Sequence, residues 1–183
     1  MATLTNISDH ILDICENAAY AKSSNCKLEI YEDEENFEFI VEDDGKGMDD
    51  ETKNLALDPF FTTKKERVKK IGFGLPFLKY SSEITGGYFK IDSKKDKGTT
   101  IKCKFKKNHI DCQPIGDLGS TIFSVIYLNN DVDWVIKRCY KDNEYNLNTK
   151  NLKKFIDDLN KISIMKEIKE LIISLENKIR EDI

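Results

Sequence analysis

Two polar residues near the N-terminus are spaced to project from the same side of a helix. Asp13 and Asn17 lie four residues apart, which is about one helical turn. Magnesium takes oxygen ligands and keeps several waters, so an Asn carbonyl at this position could ligate the ion without adding charge. A carboxylate one turn away could polarise an attacking water or hydroxyl. The alternative is that these residues form only the solvated face of an amphipathic helix.

A second group of residues combines acids with glycines at the end of a predicted strand. Residues 41–48 read VEDDGKGM, and the G-x-G turn would let a ligand approach the backbone closely. A carboxylate at the edge of a sheet, such as that of Asp43, suits an exocyclic amine like that of adenine. Taken alone, the same residues also fit an ordinary Asp-rich turn.

Glycines also stand directly before a predicted helix. Residues 69–76 read KKIGFGLP, so free backbone N–H groups and the positive end of a helix dipole would be available to phosphate. Pro76 fits the first turn of that helix, where no N–H is needed. Upstream, residues 58–65 read DPFFTTKK, and residues 63–70 carry five basic side chains, which predicts a flap over a polyphosphate. The chain lacks the P-loop sequence G-x-x-x-x-G-K-[ST].

The elements that must position these residues follow from hydrophobic periodicity. Apolar residues at steps of three and four predict a first helix over residues 7–22, and residues 27–31 and 37–42 read as strands joined by an acidic turn. The other predicted helices cover residues 49–57, 74–85, 118–128, 152–159 and 164–179, and the other predicted strands cover residues 88–93, 99–106, 133–140 and 145–148. After Lys107 the strand pattern gives way to a connecting segment that contains Pro114 and Gly116, which predicts a domain boundary near residue 108.

Composition and charge disfavour several classes of protein. The chain of 183 residues is 39% hydrophobic, enough for a core, and no apolar stretch reaches the ~18 residues of a membrane span. Its five cysteines are scattered without a C-x-x-C pair, which disfavours disulfide and zinc scaffolds and favours a reducing cytoplasm. Residues 29–58 carry thirteen acidic and two basic side chains, whereas residues 62–107 carry fourteen basic and four acidic ones. This segregation suits phosphate on one side and a metal or polar base on the other, or two solvated faces.

Together, these stretches resemble the GHKL ATPase superfamily, which includes gyrase, histidine kinases and MutL and shares the Bergerat nucleotide-binding fold. The stretches that match, in chain order, are residues 13–18 for the N box, 43–47 for the first glycine box, 58–64 for the F box of histidine kinases, 72–75 for the second glycine box and 97–100 for the final G-T strand. Their order and spacing agree across residues 7–106, which is over half of the chain.

The resemblance implies an α/β (α+β) two-layer sandwich with helices on one face of a mixed sheet. Residues 1–107 would form the ATP-binding domain, and residues 108–183 would form a small α+β appendage for partner binding or self-association. ATP and Mg²⁺ would bind between the first helix and a lysine-rich lid.

The resemblance also implies a role for individual residues. Asp13 would be catalytic, Asn17 would ligate magnesium, and Asp43 would hold the adenine amine. The residues implied in contact with the nucleotide are Asp43, Gly45, Gly47, Met48, Thr63, Lys64, Lys65, Lys70, Gly72, Gly74, Leu75, Thr99 and Thr100.

The sequence departs from the family pattern at several places. Asp13 stands where the ATPase branches carry a catalytic Glu, and its shorter side chain favours slow turnover. Lys70 stands where the second glycine box usually has its first glycine. Sixteen residues precede Asn17, so we expect no upstream dimerisation helix with a phosphoacceptor histidine. His10 is expected to be a structural or pocket-edge residue, and His109 to make a capping or interdomain hydrogen bond.

More narrowly, the chain is similar to small stand-alone histidine-kinase-like ATP-binding proteins of anaerobic bacteria. This likeness rests on HILDI at residues 10–14, LDPFFTT at 57–63, GFGLP at 72–76, and HID followed by PIGD within residues 109–117. Members of that group are often encoded beside hydrogenase or NADH-oxidising subunits, which implies a regulatory or maturation role near such enzymes in the cytoplasm.

Two functions are consistent with these features. The first is an ATP-dependent protein kinase or slow ATPase, in which Asp13 activates the acceptor and magnesium and the lid lysines neutralise phosphate charge. The second is a nucleotide-sensing binding module, without meaningful turnover, that holds a partner protein in one nucleotide state. Nucleic-acid binding by residues 62–107 is disfavoured because the basic residues lack interleaved exposed aromatics. A homodimer is left open.

Overall fold

The computed structural model describes residues 4–58, 74–156 and 158–181. The strands are β1 (Asn25–Glu32), β2 (Asn36–Asp43), β3 (Tyr88–Lys94), β4 (Gly98–Lys106), β5 (Asp133–Tyr140) and β6 (Asn143–Asn148), and the helices are α1 (Ile7–Ala19), α2 (Asp50–Ala56), α3 (Gly74–Glu83), α4 (Leu118–Ile126), α5 (Thr149–Phe155) and α6 (Ile162–Arg180). The six strands form one mixed sheet in the order β3-β4-β2-β1-β5-β6. Neighbouring strands are antiparallel except for β1 and β5, which are parallel. The predicted α/β architecture is confirmed.

Helix α1 is fixed at its start by a capping box. The Asn6 side chain accepts a hydrogen bond from the N–H of Asp9, and the Asp9 side chain accepts from the N–H of Asn6, so two otherwise unpaired donors are satisfied. The helix ends at Ala19 rather than at Lys22 as predicted. The backbone at Lys22 takes a φ of 64°, which a right-handed helix does not accommodate.

The core lies between the helices and one face of the sheet. Strand residues alternate between this buried face and the opposite face, as the two-residue period of a strand requires. The buried side chains that α1, β1, β2 and β4 contribute include Ile7, Ile11, Ile14, Leu28, Ile30, Phe37, Phe39, Val41, Ile101 and Phe105. Burying each large apolar side chain contributes roughly 1.5–3 kcal/mol, so this core holds α1 firmly on the sheet.

The strands that follow residue 108 extend the same sheet. Strand β5 pairs with β1 along its whole length, so that Cys26 lies opposite Trp134 and Leu28 opposite Ile136. Helix α4 packs against α1 and α6, and its Ile122 belongs to the same apolar cluster as Ile11 of α1. The boundary predicted near residue 108 therefore marks a change of sequence character within one sheet. The role of residues 108–183 as an appendage for partner binding or self-association stays a prediction.

A buried ionic cluster ties α6 to the sheet. Arg138 of β5 pairs with Glu32 at the end of β1 and with Glu176 of α6, whose Oε1 lies 3.2 Å from its Nε. Arg180 and Lys107 each place a nitrogen 2.9 Å from the Glu32 carboxylate. Since Arg138 is fully buried, these two carboxylates compensate its charge.

Elements near the C-terminus have bounds that differ from the prediction. Helix α5 begins at Thr149, because the Asn148 side chain accepts from the N–H of Asn151 and so caps the helix directly after β6. Strand β6 begins at Asn143, two residues before the predicted start. Among the described residues, no helix is both long and apolar enough to cross a membrane.

Candidate active site

The acid and amide predicted on α1 lie together at the surface of the helix. Asn17 Nδ2 is 3.4 Å from Asp13 Oδ2 and donates to it. This contact turns the amide nitrogen of the exposed Asn17 toward Asp13 and leaves its carbonyl oxygen for another partner. Asp13 is half-buried.

The Asp13 carboxylate also lies against Gly74, the first residue of α3. A Cβ built on Gly74 would overlap Asp13 Oδ2, so a larger residue at this position would displace the carboxylate. The structure thereby places the acid of α1 at the N-terminus of α3. Helix N-termini favour negative charge, including that of phosphate.

Asp43 is the last residue of β2 and is buried, with 8% of its surface exposed. Its Oδ1 accepts a hydrogen bond from the N–H of Gly45 at 2.8 Å. Burial raises the pKa of this carboxyl above its usual value, while the N–H groups of Gly45 and Thr99 act in the opposite direction. Asp43 therefore presents a fixed, poorly solvated acceptor.

The neighbouring acid, Asp44, has a different role. Its carboxylate accepts from the N–H groups of Ser24 and Asn25 at 2.7 and 2.9 Å and from the Asn25 side chain at 2.7 Å. Partial burial opposes ionisation, but these hydrogen bonds outweigh it and lower the pKa of Asp44. Asp44 thus anchors the start of β1, which leaves Asp43 as the acid that faces the site.

The glycine turn after β2 is fixed on the segment that directly follows α1. The N–H of Lys46 donates to the carbonyl of Ala21 at 2.9 Å. A Cβ on Gly45 would lie 2.6 Å from the same carbonyl oxygen, so a larger residue would push the turn away. The helix that carries Asp13 and Asn17 therefore also positions the turn that follows Asp43.

The same turn interlocks with the β3–β4 hairpin. Gly47 takes a φ of +54°, and a Cβ there would overlap the carbonyl of Lys94. The N–H of Asp96 donates to the carbonyl of Lys46 at 2.7 Å. Gly98, with a φ of +92°, packs against the backbone of Asp43. These close approaches explain why glycine is required at both positions.

Strand register decides which of the two adjacent threonines lies beside Asp43. Thr99 pairs with Asp43 on one side and with Ser93 on the other. Thr100 pairs with the exposed Glu42 and Asp92, so its side chain lies on the opposite face of the sheet. Of the two, only Thr99 adjoins the candidate site.

Ser93 contacts two of the predicted site residues, Met48 and Thr99, and was not identified from the sequence. Its hydroxyl oxygen accepts from the N–H of Met48 at 2.8 Å and lies 2.8 Å from Thr99 Oγ1. The signal was present in the sequence, because Ser93 is a polar residue on the inward face of β3, in register with Phe89 and Ile91. It connects the glycine turn to the strand that carries Thr99.

Comparison with known protein families identifies the family to which this sequence is similar. Residues 2–109, more than half of the chain, match the family described as "Histidine kinase-, DNA gyrase B-, and HSP90-like ATPase". The chain belongs to this ATPase family. The superfamily indicated by the sequence motifs is thereby confirmed.

Individual proteins that match the chain share only part of their length with it. Over 64 residues it is 42% identical to the sensor kinase CckA of Brucella abortus (strain 2308), covering 35% of this chain and 7% of that protein. Among solved structures, the N-terminal domain of a DNA repair protein matches with a TM-score of 0.49 and 13% identity, over 79% of this chain and 52% of that chain. The chain thus spans a small fraction of the sensor kinase and about half of the DNA repair protein chain.

Several predicted site residues of this ATPase-family chain are not part of the described structure. Among the others, Leu75 follows Gly74 in α3 and packs on the core, and Met48 is half-buried at the end of the glycine turn. The predicted residues that lie outside the described ranges are Thr63, Lys64, Lys65, Lys70 and Gly72.

The side chains of the candidate site indicate how a magnesium ion would be held there. Within residues 4–58, 74–156 and 158–181, no group of three or more His, Cys, Asp or Glu side chains is arranged to hold a metal ion. The available carbonyl oxygen of Asn17 fits an ion that takes most of its ligands from phosphate and water, which is the usual habit of magnesium. The residues present therefore fit nucleotide-bound magnesium better than a metal held by protein alone.

The two histidines make structural contacts. His10 is 1% exposed, its Nε2 lies 3.0 Å from Gln113 Oε1, and its ring packs on Phe77. Burial lowers the pKa of His10. His109 Nδ1 accepts from the N–H of Asp111 at 3.2 Å, a local hydrogen bond within one turn. Neither residue adjoins Asp13 through a described contact.

Proposed function

We propose that this chain binds Mg-ATP and acts as a slow ATPase or protein kinase module with a regulatory role. The observation that carries the proposal is the contact between Asp13 and Gly74, with Asn17 one helical turn away. This arrangement gathers a carboxylate, an amide oxygen and a helix N-terminus, which are the groups that phosphoryl transfer needs for positioning and charge stabilisation.

The adenine base is proposed to bind beside Asp43. The buried carboxylate supplies an acceptor for the exocyclic amine, and Thr99 supplies a hydroxyl next to it. Gly45 and Gly47 keep the turn compact against Ala21 and Lys94, so that no side chain obstructs this edge of the sheet. Met48 at the end of the turn supplies apolar contact to the base.

Phosphates are proposed to bind at the start of α3. Gly74 and Leu75 belong to the first turn of that helix, whose N–H groups lack partners within the helix. The residues before α3 that are predicted to contact phosphate remain part of the proposal on sequence grounds; they are Thr63, Lys64, Lys65 and Lys70. Asn17 is proposed to hold magnesium, which when bound would neutralise phosphate charge.

Asp13 is proposed to accept the proton of the attacking water or hydroxyl. General bases of this kind contribute about 10²–10⁴-fold to a rate. The carboxylate also accepts from Asn17 and packs on Gly74, and an Asp reaches less far than a Glu. Both features support slow rather than fast turnover.

A second candidate function is a nucleotide-sensing binding module for a partner protein. The hydrogen bond that Asn17 donates to Asp13 favours this second function, because a carboxylate that already accepts a hydrogen bond is less available for proton transfer. In either case the acceptor or partner is proposed to be a cytoplasmic protein, for which the neighbourhood of hydrogenase or NADH-oxidising enzymes is a candidate. Residues 108–183 are the proposed contact region for that partner or for a second copy of the chain.

Single-turnover phosphate release, with protein in excess over labelled Mg-ATP, separates the two candidates. Asp13→Asn should lower the rate by at least about a hundredfold while the Kd for Mg-ADP changes little. Glu16→Gln removes one charge from the same helix and should behave like wild type. Nucleotide binding without phosphate release or protein phosphorylation would support the binding module, and failure to bind nucleotide at all would contradict both candidates.

A further inference from the structure

Strand β6 forms one edge of the sheet. It pairs with β5 on one side, and within the described ranges no strand pairs with its other side. The two-residue turn between β5 and β6 makes Tyr140 and Asn143 a hydrogen-bonded pair, and such pairs alternate along an antiparallel ladder. The backbone N–H and C=O groups of Glu144 and Asn146 therefore point away from the sheet, where a further strand could pair with them.

The sequence of β6 lacks the features that usually protect a sheet edge. Exposed edges are commonly protected by lysines, prolines, bulges or a covering element. Strand β6 reads NEYNLN, with a single charge at Glu144. The opposite edge strand, β3, carries Lys90 and Lys94 and contacts helix α2. Of the two edges, that of β6 is the better suited to pairing with another chain.

Helix α6 lies at the same end of the molecule as this edge. It packs on β5 and β6 and, on another side, on α4, which in turn packs on α1. The α4 side of α6 includes Lys169 and Ile173, because Lys169 Nζ lies over the Phe123 ring and Ile173 Cγ1 lies 3.6 Å from a Cβ built on Gly119. Since α4 lies toward the middle of the sheet, the opposite flank of α6 faces the β6 edge.

This opposite flank combines apolar side chains with one acid and one base. At about 100° per residue, the residues that turn away from α4 are Ile164, Glu167, Leu171, Leu175 and Lys178, which we call the edge flank. Leu171 is 50% exposed, and Ile164 and Leu175 are half-buried. An apolar stripe thus lies beside an unpaired strand edge.

We propose that the β6 edge and the edge flank of α6 form the interface of a two-fold symmetric homodimer. Strand β6 pairs antiparallel with β6 of a second copy, centred on Asn146, so that the two sheets become one. A two-fold axis perpendicular to the sheet keeps the helices of both copies on the same face. The two α6 helices then lie side by side and antiparallel.

The two copies of β6 are complementary in this register. Centring the pair on Asn146 places Tyr145 opposite Leu147 of the second copy, on the face that packs on the helices. On the other face it places Glu144 opposite Asn148 of the second copy. No like charges meet, and like charges directly opposite each other would be destabilising.

The edge flanks meet at the same level of the interface. Tyr145 Oη donates to Glu176 at 2.6 Å, and Asn143 Nδ2 donates to the carbonyl of Ile179 at 3.3 Å. The C-terminal half of α6 therefore lies beside the first half of β6, so that Leu171 and Leu175 lie near the proposed axis. Antiparallel α6 helices bring Leu171 of one copy near Leu175 of the other.

The charges of the edge flank support the same arrangement. Antiparallel helices place Glu167 of one copy near Lys178 of the other. Both residues are exposed, and within the part of the chain that the structure describes neither forms an ion pair in its own copy. Each is thus available to a partner of opposite charge, and the second copy supplies one.

The proposed dimer leaves both candidate nucleotide sites accessible. Strands β1 and β5 separate β2 from β6, so the two β2 strands lie seven strand spacings, roughly 30 Å, apart. The inference rests on the proposed function only in taking residues 108–183 as a contact region. It does not require nucleotide binding, so the two proposals can fail separately.

Sedimentation velocity of the full chain without nucleotide, across micromolar concentrations, tests the inference. Wild type should reach the mass of two copies of the 21.1 kDa chain. Leu171→Glu introduces a charge into the apolar part of the interface and should raise the dimer Kd at least about tenfold. Ile110→Glu is the matched control, because Ile110 is 95% exposed and lies outside the interface, and its Kd should equal that of wild type.

Two further sets of variants separate loss of the interface from loss of the fold. Asn146→Pro removes the outward N–H and should weaken the dimer, whereas Asn146→Ala keeps that N–H and should not. Glu167→Lys and Lys178→Glu should each raise the dimer Kd about two- to fivefold. The double variant restores opposite charges across the interface and should recover the wild-type Kd, which a folding defect would not do.

A wild type that stays monomeric at all of these concentrations would overturn the inference. A dimer with an unchanged Kd in both Leu171→Glu and Asn146→Pro would also overturn it, because the copies would then associate through another surface. A dimer that responds as described but does not bind Mg-ADP would support this inference and contradict the proposed function alone.

Discussion

The carboxylate of Asp13 fills the space that a side chain on Gly74 would need. This relationship joins the helix that carries the candidate base and metal ligand to the helix whose N-terminus is proposed to receive phosphate. A side chain at position 74 would displace the Asp13 carboxylate, so the position of the candidate base depends on a residue that carries no functional group.

Gly74→Ala should be less favourable for stability in wild type than in the Asp13→Ala background. The added methyl group overlaps Asp13 Oδ2, so the carboxylate must move away to make room for it. In the Asp13→Ala background the overlap is gone, and the same change should become neutral or stabilising. Urea unfolding of the four proteins in this double-mutant cycle measures the coupling. An equal effect of Gly74→Ala in the two backgrounds would contradict the contact.

Gly47→Ala should cost more stability than Gly86→Ala. Both glycines have positive φ, +54° and +78°, so each substitution carries the left-handed penalty of roughly 1–2 kcal/mol. A Cβ on Gly47 would also overlap the carbonyl of Lys94, whereas the nearest atom to a Cβ on Gly86 is the Lys106 Cγ at 4.0 Å. Urea unfolding provides the comparison, and equal losses would show that the turn and the hairpin do not interlock.

Arg138→Met should destabilise the whole sheet. It leaves the buried carboxylates of Glu32 and Glu176 without their shared partner, and breaking a buried pair in this way costs about 3–5 kcal/mol. Lys137→Met is the control, because Lys137 pairs with Glu144 at the surface and such pairs contribute about 0–1 kcal/mol. Thermal unfolding should show one transition that moves to lower temperature. A transition that is unmoved in Arg138→Met would indicate that α6 is not integral to the fold.

Asp43→Asn should show a pH-dependent effect on the nucleotide-free protein. Burial raises the pKa of Asp43 above its ordinary value of 3.8, so the folded state favours the protonated carboxyl. The stability that the folded state gains from the protonated carboxyl is present below pH 3.8 and is lost as the pH rises through the pKa of the folded state. The total loss is about 1.4 kcal/mol for each pH unit by which the folded pKa exceeds 3.8. Asn does not ionise, so the stability of Asp43→Asn relative to wild type should increase from about pH 4 toward neutrality. Urea unfolding across this pH range gives the free energy of unfolding of both proteins. A difference between variant and wild type that stays constant or decreases with pH would contradict the burial of a charged Asp43.

The sequence predicts the local elements and the polar stripe of α1 well, because these depend on neighbours three or four residues apart. The period of a helix is enough to predict that Asp13 and Asn17 lie on the same side of α1. The contact of Asp13 with Gly74 depends on how α3 packs, which no local pattern encodes. The choice of Thr99 over Thr100 and the role of Ser93 depend on the register of β3 and β4. The place of β5 beside β1 arises from a parallel pairing between distant segments, so a change of sequence character at residue 108 could not reveal one continuous sheet.

Thermal melting with and without Mg-ADP tests the central claim, that Asp43 belongs to a nucleotide site, most directly. At about 100 times its Kd a ligand adds about 2.7 kcal/mol, which should raise the melting temperature of a chain this size by about 5–10 °C. Wild type and Glu42→Gln, which changes an exposed neighbour on β2, should show this shift, and Asp43→Asn should show little or none. A wild type that does not respond to excess nucleotide, or an Asp43→Asn variant that responds as fully as wild type, would contradict the account.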